Sequence, residues 1–288
     1  MKVWIFLPAF NEGESLKSLI PKIKKIEDRL SQHDFSILIL NDGSLDNTLE
    51  VLSSLKNIEN IDIYNHKINR GLGETERDGF EYLASKCKDE DIIVRFDCDD
   101  THEPEYIEAL IAKINEGFDV VNTSRYQPGG YQVGVNWYRN LLSRAANIFM
   151  RLVFDIKGMK DYSCGFRAYR AKVIKDALYI YGNRFLQMRS FGFTSTLETI
   201  VKLDLIGCVF AEVPFGLRYD QKVTESKMVS SVTLIGYIAM AILYRLPFSG
   251  WRGWKKKFIA ARLISTLEIR EEFNSICNSK SVPSRFGM

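Results

Sequence analysis

Ile92-Ile93-Val94-Arg95-Phe96-Asp97-Cys98-Asp99-Asp100 is a mostly apolar run that ends in carboxylates. A run of this length, stopped by polar residues, reads as a buried strand. In an extended chain alternate side chains point to the same side, so Asp97 and Asp99 converge on one point. Two carboxylates at one point repel each other unless a cation lies between them. Hard oxygen ligands of this kind suit Mg2+ or Mn2+, which bridge to substrate phosphates. The plainer reading is a solvated acidic loop that caps the helix begun by Pro104. Other strands ending in similar polar clusters tip the balance toward function.

Those strands lie on both sides of the run. Val3-Trp4-Ile5-Phe6-Leu7 is apolar and stopped by Pro8, and Phe35 to Leu40 ends in Asn41-Asp42-Gly43-Ser44. Ile61 to Tyr64 and Val120 to Thr123 complete the set. Between them, apolar residues at 16, 19, 20, 23, 26 and 30 have helical spacing over Glu14 to Leu30. Asp46 to Leu55, Gly73 to Cys87 and the stretch after Pro104 are the next helices, Pro being at home in a first turn. Alternating strands and helices with continuous apolar strands predict an α/β fold, a mostly parallel sheet sandwiched by helices. Ligands in such folds sit beyond the carboxyl ends of the strands, where Asn11-Glu12, Asn41 to Ser44 and Asp97 to Asp100 cluster.

Two other chemistries use similar residues. Asp97-Cys98-Asp99-Asp100-Thr101 matches the DxDxT signature of phosphatases resembling the haloacid dehalogenases, with a nucleophilic first Asp. That reading expects the motif on the first strand and a distant acidic pair. Here three strands precede it, and Asp119, Asp155, Asp161, Asp176, Asp204 and Asp220 are isolated. A nicotinamide-binding Rossmann unit needs a glycine-rich turn after the first strand. Pro8-Ala9-Phe10-Asn11-Glu12 has none, and Gly71-Leu72-Gly73 follows the wrong strand.

The combined pattern is more specific. Leu7 to Glu12, Asn41-Asp42-Gly43-Ser44-Leu45-Asp46-Asn47-Thr48, Asn69-Arg70-Gly71-Leu72-Gly73 and Asp97-Cys98-Asp99 resemble, in order and spacing, the family 2 glycosyltransferases of GT-A fold. Further on, Ser124-Arg125-Tyr126, Trp137 to Asn147, Asp161 to Arg167, Glu212-Val213-Pro214, Arg218 and Ser226-Lys227-Met228 resemble the polyprenol-phosphate (dolichol-phosphate type) sugar transferases. The resemblance covers residues 1–230, more strongly in the nucleotide-sugar half.

It implies roles. Pro8, Phe10, Glu12 and Asp42 would hold the base and ribose of a nucleotide-sugar donor, with Phe10 where the family commonly has Tyr. Asp97 and Asp99 would hold the metal and diphosphate, with Thr101 where relatives often carry Gln or His. Arg125, Arg139, Ser143 and Arg218 would surround the acceptor phosphate, and the planar arginine fork suits phosphate oxygens. Arg139 and Ser143, four residues apart, share a face if helical. The implied activity is a metal-dependent, inverting transfer of a sugar to a polyprenyl phosphate. A phosphate acceptor is already anionic and needs no strong base. A saccharide hydroxyl in surface-polysaccharide assembly, the runner-up acceptor, would need one. Glu198 is the only carboxylate in Gly192 to Glu198. A non-catalytic nucleotide-sugar binding module is a further alternative, disfavoured by the intact acidic pair.

Composition sets the surroundings. The chain has 288 residues, 46% hydrophobic and 26% charged, as globular proteins do, and this excludes disorder and a polytopic membrane protein. Residues 1–225 carry 29 Lys+Arg against 33 Asp+Glu; residues 226–288 carry 10 against 3. We therefore expect a glycosyltransferase domain over 1–225 and a basic, aromatic tail over 226–288. Val229 to Leu246 has a broad apolar helical face, and Trp251-Arg252-Gly253-Trp254-Lys255-Lys256-Lys257-Phe258 mixes aromatics with cations. Both favour a peripheral or monotopic anchor on the anionic cytoplasmic face of a membrane. A helix packed on the sheet domain and a single span are the alternatives; the uncharged run Met228–Tyr244 falls short of the ~20 residues a span wants. No nucleic-acid recognition motif accompanies the basic charge. The N-terminal apolar stretch is too short for a signal peptide. Five cysteines without a CxxC pair point to a reducing compartment and no zinc site.

Overall fold

The computed structural model describes residues 1–222, 230–245, 259, 260 and 262. The first half alternates as expected: β1 (Lys2–Ala9), α1 (Gly13–Arg29), β2 (Asp34–Asn41), α2 (Thr48–Leu55), β3 (Ile61–Asn65), α3 (Leu72–Lys86), β4 (Ile92–Arg95), α4 (Ile107–Asn115) and β5 (Val120–Ser124). A single turn of 3-10 helix at Pro104–Tyr106 leads into α4. The second half adds β6 (Tyr131–Val133), α5 (Trp137–Phe154), β7 (Arg167–Arg170), α6 (Ala171–Tyr181), α7 (Thr194–Leu205), β8 (Phe210–Pro214), β9 (Gly216–Arg218) and α8 (Ser230–Tyr244).

Seven strands form one sheet in the order β3-β2-β1-β4-β7-β5-β8. It is parallel except at β7, which runs antiparallel to both β4 and β5. The side-chain alternation of β1 divides the core. Val3, Ile5 and Leu7 pack with α1, α2 and α4 on one face, while Trp4 and Phe6 pack with α3, α6 and α7 on the other. Both faces are covered, which is why β1, β2 and most of β4 are apolar. β6 and β9 pair in a separate small ribbon beyond the sheet.

α8 packs on the second face. Tyr237 and Met240 join the same hydrophobic cluster as the sheet, while Leu234, Ile235, Ile238, Ile242 and Leu243 stay exposed. No helix among the described residues is long and apolar enough to cross a membrane. Arg262 reaches back to the sheet domain, 3.2 Å from Asp176 and 3.6 Å from Asp119. The Trp251 to Phe258 segment lies outside the described residues. Cys87, Cys98, Cys164 and Cys208 are all free and buried.

Candidate active site

The carboxyl ends of β1, β2 and β4 bring the polar clusters together. The loop after β1 is clipped to the loop after β2: the Asn11 amide donates to Ser44 Oγ at 2.8 Å, and the Glu12 amide to Thr48 Oγ1 at 3.0 Å. Asn11 takes a left-handed φ of 53° to do so. Pro8 is buried at the end of β1, Phe10 is half-buried, and Glu12 is buried, accepting from Ser15 Oγ at 2.8 Å.

Asp42 is 2% exposed and organises the next loop. Its Oδ1 accepts from the Arg70 amide at 2.9 Å and its Oδ2 from the Gly71 amide at 2.8 Å. The approach of residues 68–71 to Asp42 is tight: a Cβ on Gly43 (φ +66°) would stand 2.4 Å from the Ile68 carbonyl carbon. Only glycine fits between Asp42 and Ser44. The third partner of Asp42 is His66, one residue beyond β3. Its Nδ1 lies 2.7 Å from Asp42 Oδ1 and its Nε2 3.0 Å from Asp78 Oδ2. Burial alone would lower the imidazole pKa, but the two carboxylates outweigh it and push it up to about 9. Both ring nitrogens therefore donate. Sequence reasoning missed His66; its place just past a parallel strand was the available signal.

Asp97 and Asp99 do not continue the strand, since β4 ends at Arg95 and bends follow. The expected convergence of alternate side chains is replaced by separate counter-charges. Asp97 Oδ1 is 2.8 Å from Arg95 Nη1. Arg95 is 1% exposed, also 2.9 Å from Glu76 Oε1 as an ion pair rather than an aligned hydrogen bond, and donates to the Gly165 carbonyl at 3.1 Å. The lone cation in an apolar strand was the sequence signal for this role. Asp99 Oδ1 accepts from Thr101 Oγ1 at 2.6 Å, and Asp99 Oδ2 contacts the Lys222 ammonium. Burial would raise the Asp99 carboxyl, yet the adjacent Lys222 charge holds it below the usual range. Nearby, the buried His102 ring has no partner for Nδ1 among the described residues, and burial lowers its pKa.

The expected acceptor residues form a chain of contacts. Arg125 holds Asp161 through Nε at 2.7 Å and Nη2 at 2.8 Å, with Nη2 also 3.4 Å from Ser143 Oγ. Burial is outweighed by the Asp161 charge, which keeps the guanidinium firmly protonated. The Asp161 loop is itself pinned, since the Lys160 and Asp161 amides both donate to Glu212 Oε1 at 2.7 Å. Ser143 lies one turn after Arg139 on α5, and Arg139 Nη1 donates to Tyr219 Oη at 3.0 Å. Arg218, next to Tyr219, is paired with Asp220 at 2.8 Å. A cavity of about 310 Å³ opens here, lined by Arg125, Tyr126, Gln132, Asn140 and Arg144 among others. Arg144, exposed on α5, was not singled out by sequence reasoning.

Glu198 is elsewhere. It is fully buried in α7, accepting from the Gln187 and Met188 amides at 2.8 Å each and pairing with Lys202 at 2.8 Å. As the candidate base for a hydroxyl acceptor it is ruled out by this burial.

The donor set fits a hard divalent cation. Asp97 and Asp99 supply carboxylate oxygens of the hard kind, and a cation would compete with Arg95 for the one and with Lys222 for the other. No group of three or more His, Cys, Asp or Glu side chains is placed to hold a metal among the described residues. Two protein oxygens plus phosphate and water is the usual arrangement for Mg2+.

Residues 4–178, well over half the chain, match the family described as Glycosyl transferase family 2. The chain belongs to this family. It is a glycosyltransferase of GT-A fold. Solved structures share that fold at low identity. Glucosyl-3-phosphoglycerate synthase from Mycobacterium tuberculosis, in complex with Mn2+, UDP and glucosyl-3-phosphoglycerate, is 16% identical, with TM-score 0.55 over 84% of this chain and 78% of that one. Mannosyl-3-phosphoglycerate synthase from Rubrobacter xylanophilus is 15% identical, with TM-score 0.54 over 87% and 75%. S. aureus TarS (1-349) in complex with UDP-GlcNAc is 16% identical, with TM-score 0.52 over 95% and 75%. The family match excludes the phosphatase reading of Asp97 to Thr101. It ends within α6, so Tyr219 and Lys222 lie beyond it, as do Arg218 and α8.

Proposed function

We propose that this glycosyltransferase moves a sugar from a nucleoside-diphosphate sugar to a polyprenyl phosphate, with inversion, using Mg2+ or Mn2+ at the cytoplasmic face of a membrane. The observation that carries the reading is the contact chain Arg125–Ser143 and Arg139–Tyr219 along α5, with Arg218 next to Tyr219 and Lys222, three residues on from Tyr219, against Asp99. Three guanidinium groups linked in this way suit an anionic acceptor.

Pro8, Phe10, Glu12 and Asp42 would seat the nucleoside, with His66 fixing Asp42. Asp97 and Asp99 would hold the cation and, with it, the donor diphosphate. When bound, the cation neutralises charge on the departing diphosphate. An oxygen of the acceptor phosphate attacks C1 of the sugar, and the bond from C1 to the diphosphate oxygen breaks with its electron pair. No proton has to be removed, so the chain's task is placement and charge neutralisation. The burial of Glu198 argues against the saccharide-hydroxyl runner-up.

Membrane association is supported by apolar exposure beside the acceptor residues. Trp137 and Leu152 on α5 are 75% and 77% exposed, and α5 packs beside α8, whose outer face is also apolar. With the basic segment 226–288 forming the proposed anchor, the lipid would arrive from that side. The test is a donor screen that measures released nucleoside diphosphate with and without polyprenyl phosphate. Release that depends on the lipid phosphate is expected. Transfer to a saccharide hydroxyl with the lipid phosphate ignored would overturn the reading.

A further inference from the structure

Lys222 belongs to no motif and lies outside the family match, yet its ammonium contacts Asp99 Oδ2. The contact is sheltered, the Lys222 side chain being 11% and the Asp99 side chain 14% exposed. The lysine closes the 3-10 turn Tyr219–Gln221, its amide donating to the Tyr219 carbonyl at 3.4 Å and its ammonium lying 5.6 Å from the Tyr219 ring centre. β9, just before the turn, is tied to the acidic loop through the Arg218 amide, which donates to the Thr101 carbonyl at 3.1 Å.

Asp99 has little capacity left. Oδ1 accepts from both the Thr101 amide at 3.2 Å and the Thr101 hydroxyl at 2.6 Å. Oδ2 is the oxygen open to a metal, and the ammonium is on it. A divalent cation and an ammonium cannot share one carboxylate oxygen in a sheltered site, because their repulsion is poorly screened there.

We infer that Lys222 is a tethered counter-cation that occupies Asp99 until a divalent cation displaces it, so that metal entry releases the Tyr219–Lys222 turn. The inference rests on the reading of Asp97 and Asp99 as the metal-holding pair. Displacement has a consequence across the site, since Tyr219 is the residue that holds Arg139. Filling the donor side thereby frees the Arg139 guanidinium for the acceptor anion.

Two measurements on the full chain test this. In Mn2+ titrations followed by electron paramagnetic resonance, Lys222→Met should bind Mn2+ about tenfold tighter than the parent, while Lys222→Arg stays within about threefold of it. In the unmodified protein, acetylation of Lys222 by acetic anhydride, read by mass spectrometry, should rise when Mn2+ is added. Asp99→Asn should raise it without Mn2+. Unchanged or weaker Mn2+ binding by Lys222→Met, or Lys222 labelling indifferent to Mn2+, overturns the inference and leaves the metal pair standing. Absence of Mn2+ binding in parent and variant alike overturns both.

Discussion

Arg95 and Asp97, two residues apart on either side of the end of β4, face each other at 2.8 Å, and the arginine is 1% exposed. The cation is thus built into the core to hold one carboxylate of the proposed metal pair. Its other arm meets Glu76 on α3, which in turn accepts from Ser195 Oγ at 2.7 Å and Thr196 Oγ1 at 3.2 Å at the start of α7. One buried network joins the acidic loop to two helices. Removing the arginine leaves two carboxylates uncompensated. Arg95→Met should therefore lower stability by about 3–5 kcal/mol, the scale for breaking a buried pair. Urea unfolding monitored by circular dichroism measures it, and a loss below 1 kcal/mol would mean that the network is no more than a surface pair in effect.

His66 gives a pH signature. Its folded pKa, about 9, lies above the ordinary value of 6.5. The stabilisation is then complete below pH 6.5, falls as pH rises between the two values and is gone above about 9. The gap in stability between parent and His66→Gln should shrink across that window by about 3 kcal/mol. Chemical denaturation at pH 6 and pH 9.5 gives the two ends. A gap that is constant with pH would show that the imidazole titrates alike in the folded and unfolded chains, and that Asp42 and Asp78 do not favour its charged form.

The acidic pair predicts metal dependence. Asp97→Asn and Asp99→Asn should each reduce transfer by about a hundredfold or more, since a neutral amide compensates a cation poorly. Asp97→Asn should also cost stability, because Arg95 loses a partner, whereas Asp99→Asn loses only the contact with Lys222. Parallel activity and melting measurements separate the two variants. Full transfer by the parent in excess chelator would remove the metal from the reaction.

The alternation of apolar strands and helical spacings was legible as far as β5, because covered parallel strands must be apolar. β7 was not, for Arg167-Ala168-Tyr169-Arg170 carries charge at both ends and no apolar run. Arg167 is nonetheless fully buried, since its guanidinium donates to the Asn122 side chain at 2.7 Å and to the Tyr162 carbonyl at 3.0 Å. The polar strand ends were legible as a site. Two of the counter-charges were not: His66 and Lys222 meet Asp42 and Asp99 through the fold, at separations that no local pattern marks, whereas Arg95 stands two residues from Asp97 as a lone cation in an apolar strand. The expectation for Asp97 and Asp99 failed for a related reason. Period-two alternation holds only within a strand, and β4 stops at Arg95.

The tail can be tested with α8 kept in place, although the Arg262 pairs with Asp176 and Asp119 are then lost. Deleting 228–288 would remove α8, whose Tyr237 and Met240 are part of the hydrophobic cluster. Deleting 246–288 keeps that helix and removes both tail tryptophans and the Lys255-Lys256-Lys257 run. The shortened chain should float poorly with anionic vesicles compared with the full chain. Raising salt should weaken binding of the full chain only in part, because apolar burial is not screened as charge is. Equal flotation of both chains would place the membrane contact on α5 and α8 alone.

The acceptor arginines differ in what the fold has already attached to them, and this orders their expected effects. Arg125 is held by Asp161 through two nitrogens and lines the cavity, so its loss should disturb the Asp161 loop as well as the anion. Arg218 is half-buried and already paired with a carboxylate, that of Asp220, so its contribution should be the smaller one. Arg139 is partly buried and held only by a neutral hydroxyl, that of Tyr219, among the described residues. It is the guanidinium most readily transferred to a phosphate. Arg139→Ala should lower kcat/KM for polyprenyl phosphate about 30-fold, equivalent to ~2 kcal/mol for a charge-assisted contact in a sheltered site. Arg139→Lys should recover part of this, since it keeps the charge and loses the fork. Tyr219→Phe tests the same guanidinium from the other side. It removes the hydroxyl that holds Arg139 and leaves the cation in place, so lipid-phosphate use should be retained or improved. Affinity for the nucleoside diphosphate should stay within about twofold in all three, because those contacts come from the β1 and β2 loops and the acidic pair. If Arg139→Ala weakens nucleotide and lipid phosphate equally, the arginine belongs to the donor side, and the anionic acceptor must be held by Arg125 and Arg144 around the cavity.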